Sequence, residues 1–250
     1  MSYNAGGQKR ILPKGNVNGL KLIRTSASVV SIEAGNCRNG TDVINIVNSG
    51  TIAIDLSTSG AGGLDTGSEA SSTLYTVYII ADSTGTNPVD GVFSLNQTTP
   101  TLPAGYDYFR RVGAARNNSS SNIIDFVQEG NSNDRRMVYN TNASNVQVLS
   151  SGSASTYTAV DLSDLMPVTS IKPILAYNFQ SDNKNNFVTL RSTGSSITDS
   201  GFKMQMQGDK NRDGFGVIEP ITDSAQSIDY QVSEADDDLD LSVIGYYDRF

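Results

Sequence analysis

LYTVYIIA, residues Leu74–Ala81, decides the fold class. Leu74, Thr76, Tyr78 and Ile80 alternate with Tyr75, Val77 and Ile79, and β-branched and aromatic side chains fill both sets. Such residues suit a pleated strand, where neighbouring side chains point to opposite faces; in a helix they crowd the preceding turn. DSTGTNP then supplies a turn, and VDGVFSL (89–95) reads as the returning strand of a hairpin.

The pattern extends in both directions. Upstream, SVVSIEAG, TDVINIVN and TIAIDLST are short alternating segments at a spacing of roughly ten residues. Downstream, TPTLPAG breaks the chain before YDYFRRVGAA, NNSSSN forms a loop, and IIDFVQEG (123–130) resumes as a strand. IKPILAYNFQ, NNFVTLRST, GFKMQMQG, FGVIEPI, SIDYQVSE and DLDLSVIGYYD continue in the same style. DLSDLMP (161–167) is the best helical segment, one capped turn ended by Pro167.

Short strands at this spacing imply sandwiches or barrels, not βαβ units. The expected fold is all-β: two antiparallel β-sandwich, jelly-roll-like domains with an extended N-terminal arm. The arm covers residues 1–24, the first domain 25–131, a polar linker region 132–158 with one weak strand near Val146–Leu149, and the second domain 159–250. No heptad pattern encodes a coiled-coil shaft.

Charge is uneven along the 250 residues. Lys9, Arg10, Lys14, Lys21 and Arg24 stand among the first 24 residues without an acid. Residues 199–250 carry twelve acids against four bases, a local charge of -8. A basic arm on an acidic body argues against nucleic-acid binding, and it reads either as a solvated terminus or as a docking arm for an acidic partner surface. No apolar run approaches the roughly 18 residues of a spanning helix, so membrane insertion is not expected. The opening MSYNAGGQKRILPKG lacks the apolar stretch of a signal peptide, so Sec export is not expected either. Cys37 stands alone, which fits folding in a reducing cytoplasm.

The absence of histidine removes Ser-His-Asp and Cys-His catalysis and imidazole-bound metals. Carboxylate chemistry remains, but among 26 acids no spacing singles out a glycosidase pair. An enzyme is therefore not expected. In DKNRDG (209–214), Asp209, Asn211 and Asp213 alternate before Gly214, like the first half of a calcium loop, and Glu219 falls one residue before the position of the usual closing carboxylate. A structural Ca2+ site on Asp209, Asn211, Asp213 and Glu219 and a plain polar turn are both open readings; no other cofactor is expected. EADDDLD (234–240) reads as a solvated, gatekeeping acidic run.

In YDYFRRVG, strand geometry sets Tyr108, Arg110 and Val112 on one face and Phe109, Arg111 and Gly113 on the other. Both faces mix apolar bulk with charge. This suits a sheet edge or subunit boundary, with guanidinium stems over aromatics, and makes Tyr106, Tyr108, Phe109, Arg110 and Arg111 framework or interface residues.

Four stretches together carry a resemblance: IEAGNCRNGTD, GAGGLDTGSEASSTLYTVYIIADSTG, TPTLPAGYDYFRRVGA and DFVQEGN. The set resembles a module of tailed-bacteriophage structural proteins, most closely at Gly63-Leu64-Asp65-Thr66-Gly67 and Tyr106-Asp107-Tyr108. It departs at Thr76, where the family pattern has histidine, and at Phe109, where it has a basic residue. The resemblance covers residues 30–131 well and the remainder loosely. It implies a homotrimeric, non-enzymatic virion part at the virion surface, assembled in the host cytoplasm, and names no catalytic residue. The expected function is a short tail-fibre or tail-associated surface protein docked by its basic arm. It would contact other virion proteins and a host-surface receptor or glycan. The alternative is a capsid decoration (cement or head-fibre) protein that stabilises the head shell.

Overall fold

The structure, a computed structural model, describes residues 11–130, 132–181, 186–197, 202–205 and 212–250. It is all-β with antiparallel sheets, and the chain divides into two compact units. Met1–Tyr139 and Asp248–Phe250 make the first; Asn140–Tyr247 make the second.

The first unit contains β1 (Val17–Gly19), β2 (Leu22–Arg24), β3 (Val29–Ile32), β4 (Gly35–Arg38), β5 (Asn45–Asn48) and β6 (Ile52–Asp55). There follow β7 (Leu74–Ala81), β8 (Asp90–Ser94), β9 (Tyr108–Arg116), β10 (Phe126–Glu129) and β11 (Asp134–Tyr139). Three sheets are ordered β1-β4-β5, β2-β3-β6 and β8-β7-β9, while β10 pairs with β11.

All eight residues of β7 are buried, because a layer lies on each side of it. One face carries Tyr75, Val77 and Ile79, flanked by Gly91 of β8 and Gly113 of β9. Those glycines admit the β2-β3-β6 layer: a methyl added to Gly91 would lie 2.7 Å from Ile32 Cδ1 and 2.8 Å from Ile54 Cγ2. One added to Gly113 would lie 2.6 Å from Leu22 Cδ1. On the opposite face Tyr78, Ile80 and Val92 pack under Leu102, Tyr106 and Phe109.

A register shift between Val77 and Tyr78 makes Val112 an extra residue in β9. Beyond this bulge the faces exchange, so Gly113 joins Arg110 and Tyr108 instead of Arg111 and Phe109. The strict alternation expected across YDYFRRVG holds only up to Arg111.

Two boundaries differ from expectation. Residues 17–24, assigned to the arm, form β1 and β2, because Val17, Leu20 and Leu22 are core side chains at most 2% exposed. Residues 132–158, read as a linker, carry β11 in the first unit and the weak strand of the second.

The second unit contains a 3-10 turn at Ala143–Asn145, then β12 (Gln147–Gly152), β13 (Thr158–Asp161), β14 (Lys172–Ser181) and β15 (Phe187–Ser192). These are followed by β16 (Phe202–Gln205), β17 (Arg212–Ile218), β18 (Ser227–Val232) and β19 (Asp238–Arg249). Here β19 pairs with β12 and β14, and β17 lies outside β14. A second sheet is ordered β13-β18-β15-β16. Leu175, Phe179, Leu239, Leu241 and Val243 are buried on the first sheet; Val188, Leu190, Ile228 and Val232 are buried on the second. Gly152 brings the layers together, since a methyl there would sit 2.9 Å from Tyr230 Cζ.

DLSDLMP is a turn, not a helix. Asp161 Oδ1 accepts from the Ser163 N–H (2.8 Å) and Leu162 O from the Leu165 N–H (2.9 Å). Leu162, Leu165 and Met166 are all buried, and Pro167 forbids a second turn.

Candidate functional site

The segments that carry the resemblance converge in the first unit. The Asp65 carboxylate of GLDTG accepts from the Thr101 N–H of TPTLPAG at 2.8 Å, joining pieces 36 residues apart. The Gly40 N–H of CRNG donates to Phe109 O at 2.8 Å. Asp107 Oδ2 accepts from Ser83 Oγ (2.6 Å) and the Ser83 N–H (3.1 Å), and the Tyr106 hydroxyl donates to Pro88 O (3.1 Å). Phe109 meets Tyr78 edge to face, with ring centroids 5.6 Å apart.

Beneath them lies a guanidinium-aromatic cluster. Arg111 pairs with Asp248 at 2.5 Å, and both side chains are nearly sealed from water. Arg135, 2% exposed, donates to Leu20 O (3.1 Å), to Gln128 Oε1 (3.0 Å) and to Gly19 O. The Phe250 ring takes both cations, with Arg111 Cζ 5.0 Å and Arg135 Cζ 4.9 Å from its centroid. Gln128, from DFVQEGN, also accepts from the Leu22 N–H (2.8 Å) and donates to Val112 O (3.2 Å). Burial lowers the Arg135 pKa to about 10, opposed by the nearby Asp248 charge.

Arg110 donates to Gly15 O at 3.2 Å. Tyr108 borders an open cleft of about 570 Å3 whose walls include Val43, Val47, Val89, Asn45 and Asp82. Asp82 accepts from the backbone N–H groups of Asn87 (2.8 Å) and Thr84 (2.7 Å), which hold its pKa at about 2. It therefore stays ionised and does not shuttle protons near neutrality. Arg38, also at the cleft, donates to Asn45 Oδ1 at 3.0 Å.

Of the five basic arm residues, Lys9 and Arg10 lie outside the described residues. Lys14 is exposed and Lys21 half-buried, whereas Arg24 Nε donates to Ile123 O at 2.7 Å. Arg24 thus belongs to the framework.

Asp209 and Asn211 also lie outside the described residues. Asp213 lies near the start of β17 and Glu219 directly follows its end, roughly 20 Å along the chain. Glu219 instead pairs with Lys172 (2.9 Å) and accepts from the Tyr247 hydroxyl (3.0 Å). The backbone from Asp213 to Ile218 is extended, whereas a calcium loop curls around its ion. Among the described residues, no group of three or more His, Cys, Asp or Glu side chains is arranged to hold a metal.

The acidic run is not uniformly solvated. Glu234 and Asp236 are exposed, but Asp237 is fully buried. It accepts from Asn186 Nδ2 (2.8 Å), Ser233 Oγ (3.0 Å) and the Glu234 N–H (3.2 Å). Three donors replace the water that burial removes.

No family model matches this sequence, and no curated protein matches it.

Proposed function

We propose that the chain is a non-enzymatic virion structural protein of a tailed bacteriophage, a short tail-fibre or tail-associated surface protein, with a sandwich domain of the expected jelly-roll-like kind in each compact unit. One observation carries the reading. The side chains that make up the resemblance, Asp65, Tyr106, Asp107, Phe109 and Gln128, are engaged in tying the first unit together. Groups committed to internal bonds and packing support a scaffold role and leave little for turnover of a substrate. Lys9, Arg10 and Lys14 supply the positive charge for docking on an acidic neighbour, on a chain whose net charge is -8.

Immunogold electron microscopy of intact particles, with antibody against residues 140–250, tests the proposal. Gold confined to the tail is the expected result. Gold over the head favours the decoration protein, and particles without gold overturn both.

A further inference from the structure

The cleft beside Tyr108 holds a cation without an anion. Arg38, the last residue of β4, lines it and is only 8% exposed. Two of its N–H groups are committed: Nη1 donates to Asn45 Oδ1 at 3.0 Å and Nη2 donates to Asp42 O. The Nε–H is buried and meets no acceptor. Among the described residues no carboxylate pairs with this guanidinium. Asp42 offers it a carbonyl, while the Asp42 carboxylate accepts from the Gly15 N–H at 2.7 Å. The other sealed guanidiniums of the first unit are compensated, Arg111 by Asp248 and Arg135 by the Phe250 ring. A cation withdrawn from water without a partner is costly, and an anion entering the cleft would relieve that cost.

The surroundings of Arg38 are mixed in character. One wall is the β4–β5 hairpin, where Val43 is 63% exposed and Val47 37%. The other is the loop between β7 and β8, which brings Ser83, Thr84 and Asn87. That loop is fixed before anything binds, by the bonds to Asp82 and Asp107 and by Asn87 Nδ2 donating to Gly105 O at 3.0 Å. A wall already ordered loses little entropy on binding. The volume, about 570 Å3, is that of a small-molecule site. Aliphatic side chains and the Tyr108 ring suit the C–H faces of a sugar, and hydroxyl and amide groups suit its hydroxyls. Asp82 does not bar an acid. It is accessible to water, which screens its charge, and its oxygens already accept from Thr84 and Asn87. Arg38 is shielded from solvent and keeps more of its field.

We propose that this cleft binds a sugar acid, a ring of the hexuronate class. Its carboxylate takes the spare N–H groups of Arg38 as charge-assisted hydrogen bonds. The ring lies against Val43, Val47 and Tyr108, and its hydroxyls meet the loop between β7 and β8. The proposal uses only residues of the first unit and stands or falls apart from any virion role.

Titration of the isotope-labelled full chain with sodium D-glucuronate and D-galacturonate, followed by NMR, tests it. Saturable shifts at millimolar concentration are expected, with the Arg38 Nε–H resonance moving downfield. Glucose lacks the carboxylate and acetate lacks the ring, so each should bind roughly 10-fold more weakly or worse. Because Val43 is exposed, Val43→Glu should fold with the parental melting temperature yet lower the affinity roughly 10-fold by repulsion, whereas Val43→Lys should keep it. Oligogalacturonate in place of the monomers separates the two sources of such a ring: tighter binding marks a polysaccharide, equal binding a free sugar acid. Glucose or acetate binding as well as the sugar acids, no saturable shift with either acid, or indifference to Val43→Glu would each overturn the proposal.

Discussion

Arg111 and Asp248 meet where neither charge is well hydrated, so each depends on the other. Removing one partner of a buried pair strands the remaining charge and costs about 3–5 kcal/mol. Arg111→Met and Asp248→Asn are each expected to lower the unfolding free energy by about that amount in urea titrations. The double variant should lose clearly less than the sum, because its second change removes the stranded charge. Cys37 provides a pH-dependent counterpart. Burial pushes its thiol from 9.0 up to about 12, against the pull of Arg110 and Arg135. A raised thiol pKa means that the fold favours the neutral form. That contribution is full below pH 9 and disappears as the pH rises towards 12. Cys37→Ala should therefore flatten the alkaline fall in stability, and the native thiol should resist alkylation at neutral pH until urea exposes it.

Between the strands, small residues determine how closely layers approach. Gly91 faces Ile32 and Ile54 without room for a methyl, so Gly91→Val is expected to cost about 1–3 kcal/mol by overpacking, measured by thermal unfolding. Strand positions were largely legible in the sequence, because period-two patterning is local: SVVSIEAG holds β3, LYTVYIIA is β7 and SIDYQVSE holds β18. What escaped was set by distant partners. VNG and LIR look too short for strands, yet each gains a neighbour, β4 and β3 respectively, that no local pattern announces. The extra residue at Val112 exists only in relation to β7. Arg135 left a readable trace, since alternation in DRRMVY aligns it with the buried Met137 and Tyr139. Its companion Asp248 left none within the same segment. Asp237 looked like its exposed neighbours, and only Asn186 and Ser233 distinguish it.

At the scale of the whole chain, the N-terminal region divides into two parts with different consequences when removed. Deleting residues 1–10 takes away Lys9 and Arg10 but leaves the buried Leu12, Val17, Leu20 and Leu22. The melting temperature should hold while incorporation into particles falls. Deleting residues 1–24 removes β1, β2 and that apolar set, and the first unit should fail to fold, seen as loss of protease resistance. The first unit is also divided along the sequence, because Asp248 reaches Arg111 from 137 residues downstream. Ribosomes add roughly 5–20 residues per second in a fixed direction. For on the order of ten seconds of translation, then, most of the first unit has emerged while Arg111 waits without its counter-ion. Native closure of that unit is thereby tied to completed synthesis of the other, and a chain stalled midway retains an unneutralised cation that marks it as unfinished.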